Sequence, residues 1–203
     1  MARTETTASL NPLSLRAIRF GVGYLFRHPL KFMPRLQLKL RQIINGDYPQ
    51  LADGAVRFMN SELKKITAPA IAEWGSGRST LWFSTRAARL VSVEHNAAWH
   101  NLIKDKLKRR NSHHVTLTLA RENGPEYPNS ILPGAPYDLI LIDGIRRAEC
   151  AAIAVKTIKP GGIIVVDNSN RPEYSCFMSA LGTEIGTYVS NATTTTIFRA
   201  TKD

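Results

Sequence analysis

Residues Ile71–Thr80 read IAEWGSGRST: a short apolar run, Pro69–Trp74, breaks into Gly75-Ser76-Gly77, and helix-compatible sequence resumes at Ser79. This is the pattern of a strand, a tight glycine turn and a helix N-terminus. Glycine serves where the backbone must turn sharply and let a ligand approach the main chain. The free N–H groups that open the following helix favour an anionic group. Glu94 stands nineteen positions after Gly75, at the end of the next strand-like run, Leu90–Val93. An acid about twenty residues beyond a glycine turn is spaced to hydrogen-bond ribose hydroxyls. The stretch is therefore suited to an adenosine-containing cofactor. The dinucleotide fingerprint asks for a third glycine, and Thr80 stands in its place.

Outward from this stretch, strand-like and helical segments alternate. Leu51–Lys65 carries Leu51, Val56, Met59 and Leu63 at helical spacing. Strand Pro69–Trp74 leads to helix Ser79–Ala88, strand Leu90–Glu94 to helix Ala97–Arg110, and strand His114–Leu119 to a Pro/Gly-rich loop, Arg121–Pro136. Strand Tyr137–Ile142 precedes helix Arg146–Thr157, and Lys159-Pro160-Gly161-Gly162 turns into strand Ile163–Val166. Such alternation predicts an α/β fold, a Rossmann-like, mostly parallel sheet with helices on both faces. Glu184–Ser190 and Thr193–Arg199 follow each other closely enough to complete the edge as a C-terminal antiparallel hairpin.

The 203 residues suit one domain with a short extension. A 43% hydrophobic and 21% charged composition is that of a chain able to bury a full core. Cys150 and Cys176 have no C-x-x-C spacing, so they read as small buried or half-buried thiols in a reducing compartment, which predicts a cytoplasmic protein. No apolar run has the length needed to span a bilayer. The net charge of +11 is uneven: through Asn45 there are eight Lys/Arg against Glu5 alone. We therefore divide the chain into a basic N-terminal arm, residues 1–45, and an α/β domain, residues 46–203. From Ser14 to Asn45, apolar residues alternate with single basic ones, and Pro29 and Pro34 divide the stretch into two helical pieces. Such a stretch can lie peripherally on an anionic membrane, dock on a partner or a second copy, or pack plainly on the domain with a solvated basic face. Its acid-poor, hydroxyl-rich start also fits an organellar presequence, whereas the small-residue cleavage site of a secretory signal is missing.

The phrases EWGSGRSTLWFS, VSVEHNAAWH, YDLILIDG and IKPGGIIVVDNS occur in consecutive order. With Glu94 and a strand-end Asp143, they resemble the class I S-adenosylmethionine-dependent methyltransferases from Tyr48 to Arg199. The resemblance implies S-adenosylmethionine as cofactor. Gly75, Ser76, Gly77 and Ser79 would surround its methionine part, Glu73 would orient the loop or meet the amino group, and Glu94 would take the ribose hydroxyls. His95 would border the adenine or simply begin the next helix. Trp74 and Trp82 read as core, and Trp99 as packing on its own helix.

Asp143 and Asp167-Asn168 end two successive strands, YDLILID and GIIVVDN. Two carboxylates and an amide oxygen are hard ligands suited to Mg²⁺ or Ca²⁺. This pattern resembles the cation-dependent catechol-type O-methyltransferases, in which such a triad orients the acceptor's hydroxyls. The chain departs from them in a shorter glycine loop and in Arg146, which replaces a lysine general base. Arginine stays protonated, so Arg146 would clamp an acidic substrate or cover the site. Asp167-Asn168 alternatively forms a turn or cap after its strand. Without a metal, Asp143 is the favoured base or substrate-orienting acid. A nucleic-acid acceptor is disfavoured: Asp143-Gly144-Ile145-Arg146 is not the Pro-Pro-aromatic turn of base methyltransferases, and Lys104–Arg110 reads as a solvated helix face. The expected activity is methyl transfer to an oxygen or nitrogen of a small-molecule or glycan-like acceptor, held by the arm and by Arg121–Pro136 and Asn168–Tyr174. The alternatives are a non-catalytic binding or scaffold protein on the same fold, or a peripheral membrane protein.

Overall fold

The apolar runs form consecutive strands because each is long enough to cross a sheet once and is flanked by turn residues. The computed structural model describes residues 46–190 and 193–201; the expectations for the basic arm fall outside them. Strands β1 (Ala70–Trp74), β2 (Arg89–Glu94), β3 (Val115–Leu119), β4 (Tyr137–Ile142) and β5 (Ile158–Val166) are parallel. They are joined by β6 (Thr183–Val189) and β7 (Thr194–Arg199), a hairpin whose second strand runs antiparallel to β5. The order across the sheet is β3-β2-β1-β4-β5-β7-β6. The helices of the described residues are α1 (Asp53–Leu63), α2 (Arg78–Phe83), α3 (Ala97–Arg109), α4 (Glu126–Asn129), α5 (Arg147–Thr157) and α6 (Ser175–Met178). None of them is long and apolar enough to cross a membrane.

The core has two sides because strand side chains alternate. Ala72, Trp74, Ile140, Ile142, Ile164 and Val166 pack with Cys150, Ala151 and Ala154 of α5. Ile71, Leu139, Leu141, Ile163 and Val165 pack with Val56, Met59 and Leu63 of α1. Strands buried on both faces read as unbroken apolar runs, which is why YDLILI and IIVV carry no alternation. Of the cysteines, Cys150 is buried and Cys176 exposed, and both are free.

Three boundaries differ from expectation, each for a local reason. Helix α2 stops at Phe83 rather than Ala88, because the hydroxyls of Ser84 and Thr85 and the guanidinium of Arg86 donate to the carbonyls of Leu81 and Trp82. Such side chains compete with the helical ladder. The Lys159–Gly162 turn lies inside β5: Tyr137 pairs with Ile158 and Leu139 with Ile163, so the four residues bulge opposite Asp138. Helix α5 begins at Arg147, since Arg146 is left-handed at φ +49°. That one-residue shift decides which arginine enters the site.

Neighbouring β1 and β4 send their connections to opposite sides of the sheet. In open α/β sheets ligands bind outside the carboxyl ends of the strands at such a switch point.

Candidate active site

The chain leaves β1 at Trp74 and turns at Gly75, whose φ of +92° favours glycine. A Cβ on Gly75 would lie 2.7 Å from the Asp143 carbonyl oxygen. The turn is knitted to both neighbours, Gly75 N–H donating to the Val93 carbonyl at 2.9 Å and Asp143 N–H to the Trp74 carbonyl at 3.0 Å. Gly77 follows in extended backbone, and its N–H donates to Thr80 Oγ1 at 2.8 Å. The threonine standing in place of a third glycine thus ties down the loop's end.

Two acids hold this loop from different sides. Glu73 is fully buried beneath it and accepts from Ser79 Oγ at 2.6 Å and Ser92 Oγ at 2.8 Å. Burial raises its carboxyl from an ordinary value of 4.5 to about 7, and the hydroxyl hydrogen bonds oppose the rise. Of the two roles expected for Glu73, the geometry suits orientation of the loop, because no part of the residue reaches the surface. Glu94, at the end of β2, is 3% exposed. One of its oxygens accepts from the amide and hydroxyl of Ser76 at 3.1 and 2.9 Å, the other from the amides of His95 and Asn96 at 2.9 Å each. Both oxygens are therefore engaged by the protein, and the carboxylate binds the glycine loop to the start of α3.

His95 lies beside this acid, with Nδ1 3.1 Å from Glu94 Oε1 in a geometry that makes no hydrogen bond. Its ring stands edge-on to Tyr127, 6.1 Å away. Tyr127 belongs to the Arg121–Pro136 connection, which contains α4 and is anchored on the site. The indole of Trp74 donates to the Tyr127 carbonyl at 3.1 Å, and the Tyr127 hydroxyl accepts from Ile145 N–H at 3.3 Å.

Trp74 and Trp82 are core, as expected, but Trp99 is not packed away. It is 44% exposed, and its indole N–H donates to the Ser76 carbonyl at 2.6 Å. It lines a cleft of about 640 Å³ together with Gly75, Ser76, Glu94, His95 and Asp143. Periodicity places Trp99 on the first turn of α3 but does not say that this turn faces the glycine loop.

Asp143 forms the opposite wall. Its side chain is 29% exposed. Burial, helped by the Asp167 carboxylate, raises its carboxyl from 3.8 to about 7, and Arg147 pulls against that rise. Arg147 Nη2 donates to Asp143 Oδ1 at 3.1 Å. Arg146, the arginine singled out from sequence, instead donates to Glu149 and to the carbonyls of Glu122 and Gly124, so it fastens the Arg121–Pro136 connection to α5. The left-handed turn at Arg146 carries the next residue inward. A pair of strand-end aspartates with no lysine near them was the available hint that a buried arginine would answer them.

The residues of the expected metal triad are each engaged by other groups of the protein. Asp167 is 4% exposed and accepts from Thr193 Oγ1 and Thr195 Oγ1, both at 2.7 Å, so its carboxylate faces the hairpin. Asn168 is left-handed at φ +49° and donates to Thr193 Oγ1 at 2.9 Å, the turn that was the alternative reading. Among the described residues no group of three His, Cys, Asp or Glu side chains is placed to hold a metal ion. With Asp167 Oδ1 taken by two hydroxyls and a guanidinium already on Asp143, the residues as placed do not fit Mg²⁺ or Ca²⁺. The glycine loop, Glu94 and the open cleft do fit an adenosine cofactor, through backbone polar groups on one side and the Trp99 ring on the other.

No protein-family model matches the sequence, and no curated protein matches it. Solved structures do match in fold. A methyltransferase-like protein from Silicibacter pomeroyi aligns with a TM-score of 0.58 at 18% identity, over 77% of this chain and 90% of that one. The O-methyltransferase TomG from Streptomyces achromogenes, solved with S-adenosylmethionine, aligns at 0.56 and 21% identity over 79% and 86%. An O-methyltransferase from Bacillus cereus, solved with S-adenosylhomocysteine, aligns at 0.57 and 18% identity over 80% and 89%. With its strand order, its closing hairpin and a glycine turn at the switch point, the chain has the fold of the class I S-adenosylmethionine-dependent methyltransferases.

Proposed function

We propose that the protein transfers the methyl group of S-adenosylmethionine to an oxygen or nitrogen of a small-molecule or glycan-like acceptor. The observation that carries this reading is the placing of the Asp143 carboxylate on one wall of the cleft whose other walls are the glycine loop and Glu94. S-adenosylmethionine would supply an electrophilic methyl group, the carbon–sulfur bond breaking as the acceptor's lone pair bonds to carbon. Gly75, Ser76 and Gly77 would hold its amino-acid part, with Ser79 and Glu73 supporting the loop from below. Glu94 would take the ribose hydroxyls by exchanging one of its bonds to Ser76, and His95 and Trp99 would flank the base. Asp143 would accept the proton that the acceptor loses. Burial raises this carboxyl above the usual carboxylate range, the direction that suits a general base at neutral pH. The rest of the rate comes from holding acceptor and methyl group in line.

Calorimetric titration with S-adenosylhomocysteine tests the reading. Binding in the micromolar range is expected, weakened by roughly tenfold or more in Glu94→Ala. A folded wild-type protein that gives no heat of binding would overturn it.

Fluorescence supplies a second check. Trp74 and Trp82 are 0% and 6% exposed, against 44% for Trp99, so Trp99 is the tryptophan in contact with the cleft. Adding S-adenosylhomocysteine should change the emission intensity, and Trp99→Phe should remove most of that change. An equal change in the variant would place the ligand elsewhere.

A further inference from the structure

We propose that the guanidinium of Arg147 is the resident cation of this site, standing where the spacing of Asp143, Asp167 and Asn168 would otherwise invite a divalent metal ion, and that it positions Asp143. Arg147 is 7% exposed. Its Nε donates to the Gly144 carbonyl at 2.9 Å and its Nη1 to the Asp167 carbonyl. Its Nη2 reaches Asp143 Oδ1 at 3.1 Å and Asn168 Oδ1 at 3.4 Å. The residues that suggested a metal are thus all contacted by one side chain, Asp167 through its main chain. On the outer side the Tyr174 ring centre lies 5.3 Å from the guanidinium carbon, within range of a cation–π contact.

Burying a guanidinium is costly unless its donors are met and its charge is balanced. Here four oxygens meet the donors and Asp143 balances the charge, so the arrangement is a built site. A second cation brought between Asp143 and Asn168 would face this fixed charge at close range in a poorly screened environment. The two cations also differ in chemistry. A metal ion binds and acidifies an acceptor hydroxyl directly. A guanidinium offers only directed N–H bonds and takes up no proton, so proton acceptance falls to the carboxylate it holds. Arg147 is therefore a positioning residue. That role rests on the methyl-transfer reading, whereas its place as the site's cation does not.

The test is Mn²⁺ titration of the full chain, with free Mn²⁺ read by electron paramagnetic resonance. Wild-type protein should show no Asp143-dependent binding up to about 1 mM, the weak end of protein sites for hard cations. Arg147→Ala uncovers the Asp143 carboxylate and the Asn168 amide oxygen. It should raise Mn²⁺ affinity by roughly tenfold or more. Adding Asp143→Asn should abolish the gain, and Arg147→Lys, which restores a cation, should behave as wild type. Mn²⁺ binding by wild-type protein that Asp143→Asn removes would overturn the proposal, as would a folded Arg147→Ala variant with no gain. If Arg147→Ala does not fold, the comparison of wild type with Asp143→Asn decides alone. An S-adenosylhomocysteine titration of the wild-type protein is expected to show binding. Its failure would sink the methyl-transfer reading and leave the Mn²⁺ result to judge Arg147.

Discussion

Replacing Gly75 by alanine is expected to cost roughly 3 kcal/mol or more, from a disfavoured positive φ and a forced backbone shift together. The new Cβ would sit 2.7 to 2.9 Å from Asp143 and Gly144 main-chain atoms, and neither can move without breaking the β1–β4 pairing. Gly144 is closely packed too, since a Cβ there would run into the Tyr127 hydroxyl and the Gly75 amide. For a domain of this size the loss corresponds to a melting temperature lower by about 10 °C. Gly77→Ala is the informative contrast. Its φ of 173° is ordinary extended backbone, and its Cβ would meet only the Trp99 indole, at 3.8 Å. That variant should lose less than about 1 kcal/mol, the scale of a changed helix cap. It should nevertheless bind S-adenosylhomocysteine at least roughly tenfold more weakly, because the added methyl points to the side from which the cofactor would approach. Equal melting temperatures for the two variants would refute the division of labour between a structural and a ligand-facing glycine.

The second large effect is a dependence of stability on pH that originates at Glu73. Its folded-state carboxyl titrates near 7, against 4.5 ordinarily, so the folded protein holds the proton more tightly than the unfolded chain does. The stabilisation is then complete below about 4.5 and is lost as pH rises toward 7. The loss is at most about 3 kcal/mol, given 1.36 kcal/mol for each unit. Asp143 adds a change of the same sign. Glu73→Gln keeps the neutral form at every pH and can still bond Ser79 and Ser92. Urea unfolding at about pH 5 and about pH 8 should show a smaller decline in the variant, with the two proteins differing mainly at the higher pH. An identical decline would mean that Glu73 stays ionised in the folded state, its charge carried by the hydroxyls around it.

Much of the site's framework is legible in sequence because local rules govern it. Glycine at a strand end, acids one unit later and at the fourth strand, and the alternation of apolar and amphipathic segments all act over a few neighbouring residues. The partners of those residues are a different matter. Glu94 could be placed at the end of β2, but its saturation by Ser76, His95 and Asn96 depends on how the glycine loop lies against α3. Asp167 could be placed at the end of β5, but its direction depends on the hairpin, where the hydroxyls of Thr193, just before β7, and Thr195, within it, stand ready to receive it. A strand-end carboxylate has two sides to choose from, and only the neighbouring strand's side chains decide.

The sequence by itself determined the α/β class, the turn at Gly75, the strand ends at which chemistry can occur and the antiparallel close of the sheet, because these follow from periodicity and backbone freedom. Only the tertiary structure decided that Arg147 rather than Arg146 reaches Asp143, that Trp99 covers the glycine loop, and that the acid after β5 turns to the threonines of the hairpin. Each of those outcomes depends on where a helix starts by one residue or which way a side chain turns. Both are settled by packing between segments distant in the chain.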